Sequence, residues 1–255
     1  MSEILFYSLV YIWLIAAIAI YFVLQKIVAP FGRHTRDDFG PTINARVGWF
    51  LMEVPSPIVF SLCFLYSGNS PSTAMWIFFL LWNVHYINRS IVYPLRQKDY
   101  KKRMPTAIMW SAIGFNVVNG FLNGYYLGAI CDVSKYGEAW LSDSRFVLGL
   151  AIFILGMFIN WQSDSILLSL RKPGETGYKI PIRGLFRYVS CPNLFGEIIE
   201  WTGFALMLWS TPALSFAIWT MANLLPRAVA HHNWYHEKFG EEYPKKRRAV
   251  FPFLL

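Results

Sequence analysis

Long apolar segments, each long enough to cross a lipid bilayer, limit the fold of this chain more than any other feature. A transmembrane helix needs about 20 mainly apolar residues. We predict seven such helices, at residues 4–28, 46–66, 73–93, 106–130, 146–168, 193–209 and 212–230. Hydrophobic residues make up 55% of the chain, which is high for a soluble domain. The sequence therefore predicts an all-α integral membrane protein, with residues 1–255 forming a single membrane domain.

Basic residues lie in alternate connections between the predicted spans. They occur after span one, in "RQKDYKKR", in "SLRKPGETGYKIPIRGLFRYVS" and in the tail "YPKKRR". The positive-inside rule then places the N-terminus outside and the C-terminus in the cytosol. The first segment is too long for a signal peptide and has no cleavage site, so we interpret it as a retained span. We expect a multi-pass protein of the endoplasmic reticulum if the source is eukaryotic, or of the inner membrane if it is bacterial.

Several classes of function are disfavoured by the same sequence. The net charge of +8 follows from the loop asymmetry, and no basic soluble domain suggests nucleic-acid binding. Cys63, Cys131 and Cys191 form neither a disulfide framework nor a C-x-x-C site. His232 and His236 have metal-ligand spacing, but H-E-x-x-H is absent, so we expect no metal. No obligate protein partner is evident, and membrane lipid is the expected surrounding.

Span two contains a carboxyl group in an apolar setting, Glu53 of "WFLMEVPSPIVF". Pro55 and Pro57 follow it, and proline removes a backbone donor and bends or loosens a helix. A buried carboxyl tends to keep its proton and can then donate a hydrogen bond. Alternatively, Glu53 is an interfacial residue that pairs with Arg46.

Span three ends in the polar cluster "WNVHYINRSIVYP". His85 and Arg89 are four residues apart, and Tyr86 and Arg89 are three apart, so these side chains lie on adjacent turns. The cluster exceeds what a hydrophobic span requires, which indicates a functional site. The alternative for Arg89 is a side chain that extends to the cytosolic headgroups.

Span four places Asn116, Asn119 and Asn123 on one face, beside Gly120 and Gly124. The glycines favour close helix packing with asparagine bridges, and a functional face is the alternative.

Spans five and six carry further polar groups near their predicted cytosolic ends. Asn160 and Asp164 are one turn apart, and Asn193, Glu197 and Glu200 lie on adjacent turns. Acids inside a span need partners, either neighbouring cations or the hydroxyl and amide groups of a ligand.

The loop at 169–190 is polar and basic between two apolar segments. It carries Arg171, Lys172, Lys179, Arg183 and Arg187. Arginine suits bidentate phosphate contact, and the "KPGETG" turn lets backbone amides approach an anion. These features predict a phosphorylated cofactor at the cytosolic mouth, held outside a Rossmann fold because no G-x-G-x-x-G follows a strand. The alternative is contact with anionic lipid.

Several motifs taken together resemble the steroid 5α-reductase family. They are "MEVPSP", "HYINRSIVYP", "NGFLNGYYL", "SDSILLSLRKPGETGYKIP", "GLFRYVSCPNLFGEIIEW" and "HHNWYHEKFGEEYPKKRRAVFPF". The likeness runs from about residue 30 to the last residue and is densest over 146–255. Its C-terminal part is also similar to sterol reductases and isoprenylcysteine methyltransferases, which are the alternative enzymes. A non-catalytic membrane protein, such as a lipid-binding scaffold or transporter, is the remaining alternative.

The resemblance implies a seven-span enzyme that uses NADPH to reduce the 4,5 double bond of a 3-oxo-Δ4 steroid. By motif, Glu53 and Tyr86 hydrogen-bond the 3-oxo group, the hydride goes to C5, and a proton is added at C4. Two fixed donors at the oxygen stabilise the negative charge that develops there, as an oxyanion hole does.

The resemblance also implies a set of cofactor-binding residues. These are Arg89, Tyr93, Arg103, Asn160, Asp164, Arg171, Tyr178, Lys179, Asn193, Glu197, His231 and Tyr235. Three positions depart from the family pattern. The loop that carries Arg103 is longer than the family's Asn-Arg-Gly-Arg-Pro, Lys179 replaces an arginine, and Phe31 replaces a tyrosine before "GRHT".

Overall fold

The fold is a set of packed helices joined by connections of very different length, from the tight turn that follows Leu208 to the long loop that follows Ser169. The computed structural model describes residues 1–30, 32–34, 36, 38–66, 68–172, 175 and 177–254. Within this part of the chain the α-helices are α1 (Glu3–Lys26), α2 (Ala45–Glu53), α3 (Pro55–Tyr66), α4 (Thr73–Ile87), α5 (Tyr93–Arg96), α6 (Thr106–Tyr125), α7 (Ser144–Ser169), α8 (Pro192–Leu208) and α9 (Thr211–Phe239).

Each predicted span contains a helix of the structure. Among the described residues, four helical segments are long and apolar enough to cross a membrane: Glu3–Lys26, Ala45–Tyr66, Ser144–Ser169 and Thr211–Glu242. The protein is therefore mainly helical and has several membrane-spanning candidates. The count of seven crossings and the orientation of the termini stay predictions.

The second and third predicted spans are interrupted next to polar residues, at Glu53 and at Asn88. Span two is divided at Val54, where α2 ends and α3 begins with Pro55. Pro55 and Pro57 lack the N–H groups that would continue the helical ladder, so the predicted bend is a break between two helices. Span three passes from α4 through a π-helical turn, Asn88–Val92, into α5. Such turns are rare and frequently occur at functional sites.

A small antiparallel sheet corrects the all-α prediction. Strands β1 (Thr42–Asn44) and β2 (Arg103–Pro105) pair with Thr42 opposite Pro105. Beside the sheet, Ala45 N–H donates to Lys102 O at 2.9 Å, and Thr106 N–H donates to Pro41 O at 2.9 Å. The pairing satisfies backbone groups in the linkers that enter α2 and α6.

Helices α7 and α8 pack through glycines spaced seven residues apart. Gly149 and Gly156 of α7 face Gly203 and Gly196 of α8. A Cβ atom on Gly156 would lie 2.4 Å from the backbone nitrogen of Glu200 and 2.6 Å from Gly196 O. Only glycine therefore permits this backbone contact, as small residues do at many membrane helix interfaces.

Helix α6 packs closely against α3 in a similar way. A Cβ on Gly120 would lie 2.8 Å from Ser56 O, and one on Gly124 would lie 2.5 Å from Phe60 O. Asn119 and Asn123 donate to carbonyl groups of their own helix, at 2.8 Å and 3.0 Å. The close-packing interpretation of this face therefore has direct structural support.

The two ends of the chain meet through α1 and α9. The indole rings of Trp13 and Trp219 have centroids 4.6 Å apart, and Trp219 Nε1 donates to Trp13 O at 2.8 Å. Trp13 Nε1 in turn donates to Asn119 Oδ1 at 3.1 Å. These contacts fix α1 to the rest of the structure, although most of its apolar surface is exposed.

We expect Gly156→Ala to destabilise the protein. Because the added methyl group would meet backbone atoms of α8, the two helices must separate, at a cost of about 1–3 kcal/mol in the free energy of unfolding. Thermal unfolding in detergent measures the change. Gly114→Ala is the control, because a Cβ on Gly114 meets nothing within 4 Å. Equal effects of the two substitutions would contradict the packing argument.

Candidate active site

Cations dominate a cavity between the ends of α4, α7, α8 and α9 and the loops beside them. We call it the basic chamber. Seven cationic side chains and three acidic ones line it among the described residues. The cations are Arg33, Arg89, Lys98, Lys102, Arg171, Lys179 and Arg227, and the acids are Asp99, Asp164 and Glu175. This excess of positive charge is suited to a polyanionic ligand.

A second cavity, which we call the membrane cavity, lies between α2, α4, α6, α8 and α9. Aromatic and aliphatic side chains form much of its wall, including Phe115, Trp201 and Phe216. Glu53 and Tyr86 also line this wall. Polar and charged side chains line the rest of it, and aromatic walls combined with polar groups are typical of a site for a small, mainly apolar ligand.

The two cavities share three lining residues, Trp49, Arg89 and Arg227. Arg89 Nη1 lies 3.4 Å from Asp164 Oδ2, and Arg89 Nη2 lies 3.6 Å from Glu197 Oε2. The guanidinium also lies 4.7 Å from the centroid of the Trp49 ring. These contacts fix Arg89 at the junction of the charged and the apolar cavity.

Polar groups of α7 and α8 form one network behind Arg89. Asn193 Nδ2 donates to Asp164 Oδ1 at 3.0 Å, and Asn160 Nδ2 donates to Asn193 O at 3.0 Å. Asp164 and Asn193 line the basic chamber, whereas Asn160 lies behind them and is buried. The Asn160 Oδ1 atom is buried and accepts no hydrogen bond from a described residue.

The helix break in span two positions Glu53. Asn116 Nδ2 donates to Met52 O at 2.6 Å and to Glu53 Oε2 at 3.1 Å. One amide of α6 therefore holds both a backbone carbonyl at the end of α2 and the carboxyl group next to it. The alternative partner, Arg46, instead donates to backbone carbonyls of Leu95 and Gln97.

Tyr86 is buried and lines the same membrane cavity as Glu53. Its ring centroid lies 5.3 Å from that of Trp82 and 5.9 Å from that of Trp201. These aromatic contacts restrict the ring, and Ser90 Oγ donates to the Tyr86 carbonyl at 2.6 Å. Glu53 and Tyr86 are thus fixed by separate elements that meet at one cavity.

Arg33 is held in an aromatic cage at the edge of the basic chamber. Its guanidinium lies 4.4 Å from the ring centroid of Tyr235, 4.8 Å from that of Trp234 and 5.4 Å from that of Tyr178. Arg33 Nη1 is buried and has no hydrogen-bond partner among the described residues. In the sequence, Arg33 is one of the basic residues that follow span one. Its cage could not be found from local sequence, because Tyr178 and the adjacent pair Trp234 and Tyr235 are both far from Arg33 along the chain.

The structure places Arg103 and Lys102 on different sides of their loop. Arg103 belongs to β2, and its guanidinium donates to Thr42 O at 2.6 Å and is absent from the lining of the basic chamber. Lys102 lines the chamber instead. Burial, together with the nearby Arg171 and Arg33, lowers the pKa of Lys102 to about 8.

The 169–190 loop brings several predicted residues into the chamber. Arg171, Tyr178 and Lys179 line it, and the Arg171 guanidinium lies 5.4 Å from the Tyr178 ring centroid. Lys179 Nζ lies 2.5 Å from Glu175 Oε1. In the predicted "KPGETG" turn, residues 173, 174 and 176 lie outside the described residues, as does residue 31.

Helix α9 adds two more of the predicted residues, His231 and Tyr235. His231 Nδ1 lies 2.8 Å from His34 Nε2. Burial, Arg33 and Arg227 lower the pKa of His34 to about 4, so His34 is uncharged at neutral pH. The pair His232 and His236 faces away toward Ser190 and Tyr243, with Ser190 Oγ 2.6 Å from His232 Nδ1. No cluster of three or more potential metal ligands was found among the described residues.

The model of the 3-oxo-5-alpha-steroid 4-dehydrogenase family matches residues 102–255. A protein from Gossypium hirsutum named steroid 5-alpha-reductase DET2 is 43% identical, over 97% of this chain and 96% of that protein. This chain belongs to the steroid 5α-reductase family. Its fellow members include 3-oxo-5-alpha-steroid 4-dehydrogenase 1 of Bos taurus, 40% identical over 97% of this chain and 96% of the relative. The human protein of that name is 42% identical over 88% of this chain and 86% of its own length.

The extent of these matches bears on the alternatives. The C-terminal part of the sequence is also similar to sterol reductases and isoprenylcysteine methyltransferases. The matches to 5α-reductases extend over nearly the whole chain, so they include the N-terminal half that carries Glu53 and Tyr86. The family assignment therefore does not depend on the C-terminal helices alone.

We expect Asn116→Leu to lower the free energy of unfolding by about 1–3 kcal/mol. Leucine has a similar size but leaves the buried Met52 carbonyl and Glu53 without their shared donor. Thermal unfolding in detergent measures the effect. Ser111→Ala is the control on the same helix, because Ser111 is exposed and bonds only to Ile108 O. An unchanged melting temperature for Asn116→Leu would show that the amide does not support this wall.

Proposed function

We propose that this protein reduces the 4,5 double bond of a 3-oxo-Δ4 steroid to the 5α-dihydro product, with NADPH as the cofactor. The observation that carries the proposal is the junction of two unlike cavities. An apolar cavity with Glu53 and Tyr86 on its walls meets a strongly basic chamber at Arg89. Each cavity matches one half of a reaction between a steroid and a phosphorylated cofactor.

The membrane cavity suits the steroid. Its aromatic and aliphatic walls can bury a flat ring system, and two of its polar groups, Glu53 and Tyr86, can mark the position of one oxygen atom. The relatives are named for 5α-reduction of steroids or for 3-oxo-5α-steroids, which agrees with an enone whose oxygen lies at C3. Glu53 and Tyr86 are the proposed hydrogen-bond donors to that oxygen.

The two donors would lower the barrier because they stabilise charge. Addition at C5 of an enone moves negative charge onto the carbonyl oxygen. Donors already fixed at that point stabilise the transition state without reorganising. Tyr86 is held by aromatic contacts and Glu53 by Asn116, which provides such fixed positions. Glu53 donates only in its protonated form, the form that an apolar cavity favours.

The basic chamber suits NADPH. The 2′-phosphate of a phosphorylated dinucleotide adds about two negative charges at neutral pH. Seven cations facing three acids can balance this charge together with that of the pyrophosphate. When bound, NADPH supplies the hydride that is added at C5.

The proposed cofactor ligands follow the family resemblance, with one replacement. They are Arg89, Tyr93, Asp164, Arg171, Tyr178, Lys179, Asn193, His231 and Tyr235 at the chamber, with Glu197 beside Arg89 and Asn160 behind Asn193. Lys102 takes the position proposed for Arg103. Arg33 is added because its caged guanidinium keeps a buried Nη1 donor available. The 169–190 loop would cover the cofactor and exclude water from the reacting atoms.

The membrane arrangement is part of the same proposal. Seven crossings with a cytosolic C-terminus would open the basic chamber toward the cytosol, where NADPH is available. The membrane cavity would lie within the depth of the bilayer, where an apolar steroid dissolves. The expected membrane is the endoplasmic reticulum for a eukaryotic source or the inner membrane for a bacterial one.

We expect Glu53→Gln and Tyr86→Phe each to reduce kcat about 10²- to 10³-fold, because each weakens or removes one donor to the carbonyl oxygen. Consumption of NADPH by the detergent-purified protein with a 3-oxo-Δ4 steroid measures the rate. Mass and stereochemistry identify the product. Glu3→Gln and Tyr66→Phe are matched controls, because both side chains are exposed and outside the cavities.

Three outcomes of this experiment distinguish the roles of the two donors, the choice of substrate and the proposed function itself. A 5α-dihydro product that is lost only in the cavity variants supports both donors. If the protein bound NADPH tightly but reduced none of several such steroids, the proposed substrate would change to another enone or a sterol. If the folded protein neither bound NADPH nor reduced a steroid, the proposed function would be wrong.

We expect Lys102→Gln to weaken NADPH binding roughly tenfold at neutral pH, since a charge-assisted contact to phosphate is lost. The ammonium is present below pH 8 and a bound phosphate stabilises it. Affinity of the wild type should therefore fall as pH rises through about 8, and the variant should lack this fall. Fluorescence titration of NADPH at pH values on both sides of 8 provides the measurement. The adjacent Lys101 is exposed, so Lys101→Gln should behave as the wild type. Identical pH profiles for the wild type and Lys102→Gln would exclude this role.

A further inference from the structure

A buried histidine–glutamate pair lies at the membrane cavity and has no part in the chemistry described so far. His85 Nδ1 of α4 is 2.8 Å from Glu200 Oε1 of α8, and the two side chains are 3% and 0% exposed. His85 lines the cavity, whereas Glu200 is absent from its lining. Burying two titratable groups carries a large desolvation cost, which apolar side chains would avoid.

The hydrogen bond to Glu200 uses Nδ1 of the imidazole and leaves its second nitrogen, Nε2, available. His85 Nε2 makes no hydrogen bond with a described residue, while Nδ1 is engaged by Glu200. One proton can lie on either side of the hydrogen bond between His85 and Glu200, and Nε2 carries a hydrogen in both of the resulting arrangements. In the first, imidazolium faces carboxylate. In the second, the Glu200 carboxyl donates to Nδ1 of a neutral ring. A proton that leaves Nε2 yields the same final state from both: carboxylate beside an Nδ1–H imidazole.

Glu200 provides a second, independent observation. Its Oε2 atom is buried and has no hydrogen-bond partner among the described residues. An unpartnered carboxylate oxygen is costly in an apolar setting. Sharing a proton with His85 reduces that cost, so the surroundings favour the protonated pair.

The proposed reaction requires a proton at C4, next to the carbonyl carbon that Glu53 and Tyr86 would hold. The Tyr86 ring centroid lies 5.0 Å from that of His85, so the imidazole lies at the same part of the cavity as Tyr86. Glu53 and Tyr86 are committed to the oxygen. Arg89 and Arg227 do not release protons in proteins, and Glu197 is paired with Arg89. Among the described residues at the wall, His85 is the titratable group left for this step.

We propose that His85 delivers the proton to C4 and that Glu200 acts as its positioning residue. The proposal rests on the proposed steroid reduction. The electron pair of the enolate forms the C4–H bond, the Nε2–H bond breaks, and the C3 carbonyl is restored. The imidazole keeps its Nδ1–H on the Glu200 carboxylate. Water then returns one proton to the pair, so each turnover consumes one proton.

His85→Gln separates proton delivery from packing. The glutamine amide can still donate to Glu200 but has no transferable proton. We expect kcat to fall about 10²-fold while steroid affinity and melting temperature stay close to wild type. The solvent deuterium isotope effect on kcat should increase, and the isotope effect from deuterated NADPH should decrease, because proton transfer becomes slower than hydride transfer. Glu200→Gln should shift the two isotope effects in the same direction. His236→Gln, outside both cavities, is the matched control.

Chemical rescue provides a second test. Imidazole added to His85→Ala should restore part of the activity, and thiazole, which has no N–H, should not. Unchanged kcat in His85→Gln would overturn the proposal, as would lost activity with unchanged isotope effects and no rescue. These results are read against wild-type turnover. If the wild type itself reduced no 3-oxo-Δ4 steroid, the proposed function would fail and this inference with it.

Discussion

The buried guanidinium of Arg89 is the interaction on which the rest of the site depends. A charge in this position requires opposite charges close by, and Asp164 and Glu197 supply them from two helices. Those helices can present both acids only because they approach to backbone contact at Gly156 and Gly196. The glycine contact thus sets the distance between the acids, and the acids set the position of Arg89. The boundary between the polar and the apolar cavity follows from that single position.

Much of the helical framework could be predicted because lipid accepts few backbone arrangements. Apolar runs located the helices to within a few residues at most ends. Helix α9 is the exception, since it continues past the predicted end at residue 230 to Phe239. Beyond the apolar run it packs against the chain's own C-terminal segment, including Tyr243, so it no longer needs hydrophobic residues facing lipid. The strand pair at Thr42–Asn44 joins segments far apart in sequence, and no local pattern indicates it.

The candidate site shows the same division between local and distant information. Polar side chains inside apolar runs indicated Glu53, Tyr86 and Arg89, because an uncompensated polar group in lipid is rarely accidental. The same reasoning could not decide whether Lys102 or Arg103, which are adjacent in one loop, lines the chamber. Strand pairing begins at Arg103, which binds Thr42, and it is this pairing that leaves Lys102 at the chamber. Lys102 and Arg103 carry the same charge, so only the tertiary structure shows which of them lines the chamber.

The contact between the first and last helices has a consequence for how the protein assembles. Helices α7 and α8 are consecutive and can pair as soon as both have left the ribosome, since their contact closes only the loop between them. The contact of Trp13 with Trp219 joins positions near opposite ends of the chain, so it cannot form until synthesis is almost complete. Phe216 and Arg227 of α9 also form part of the membrane cavity. The membrane cavity therefore remains without one wall through most of translation, and it is complete only when α9 is in place.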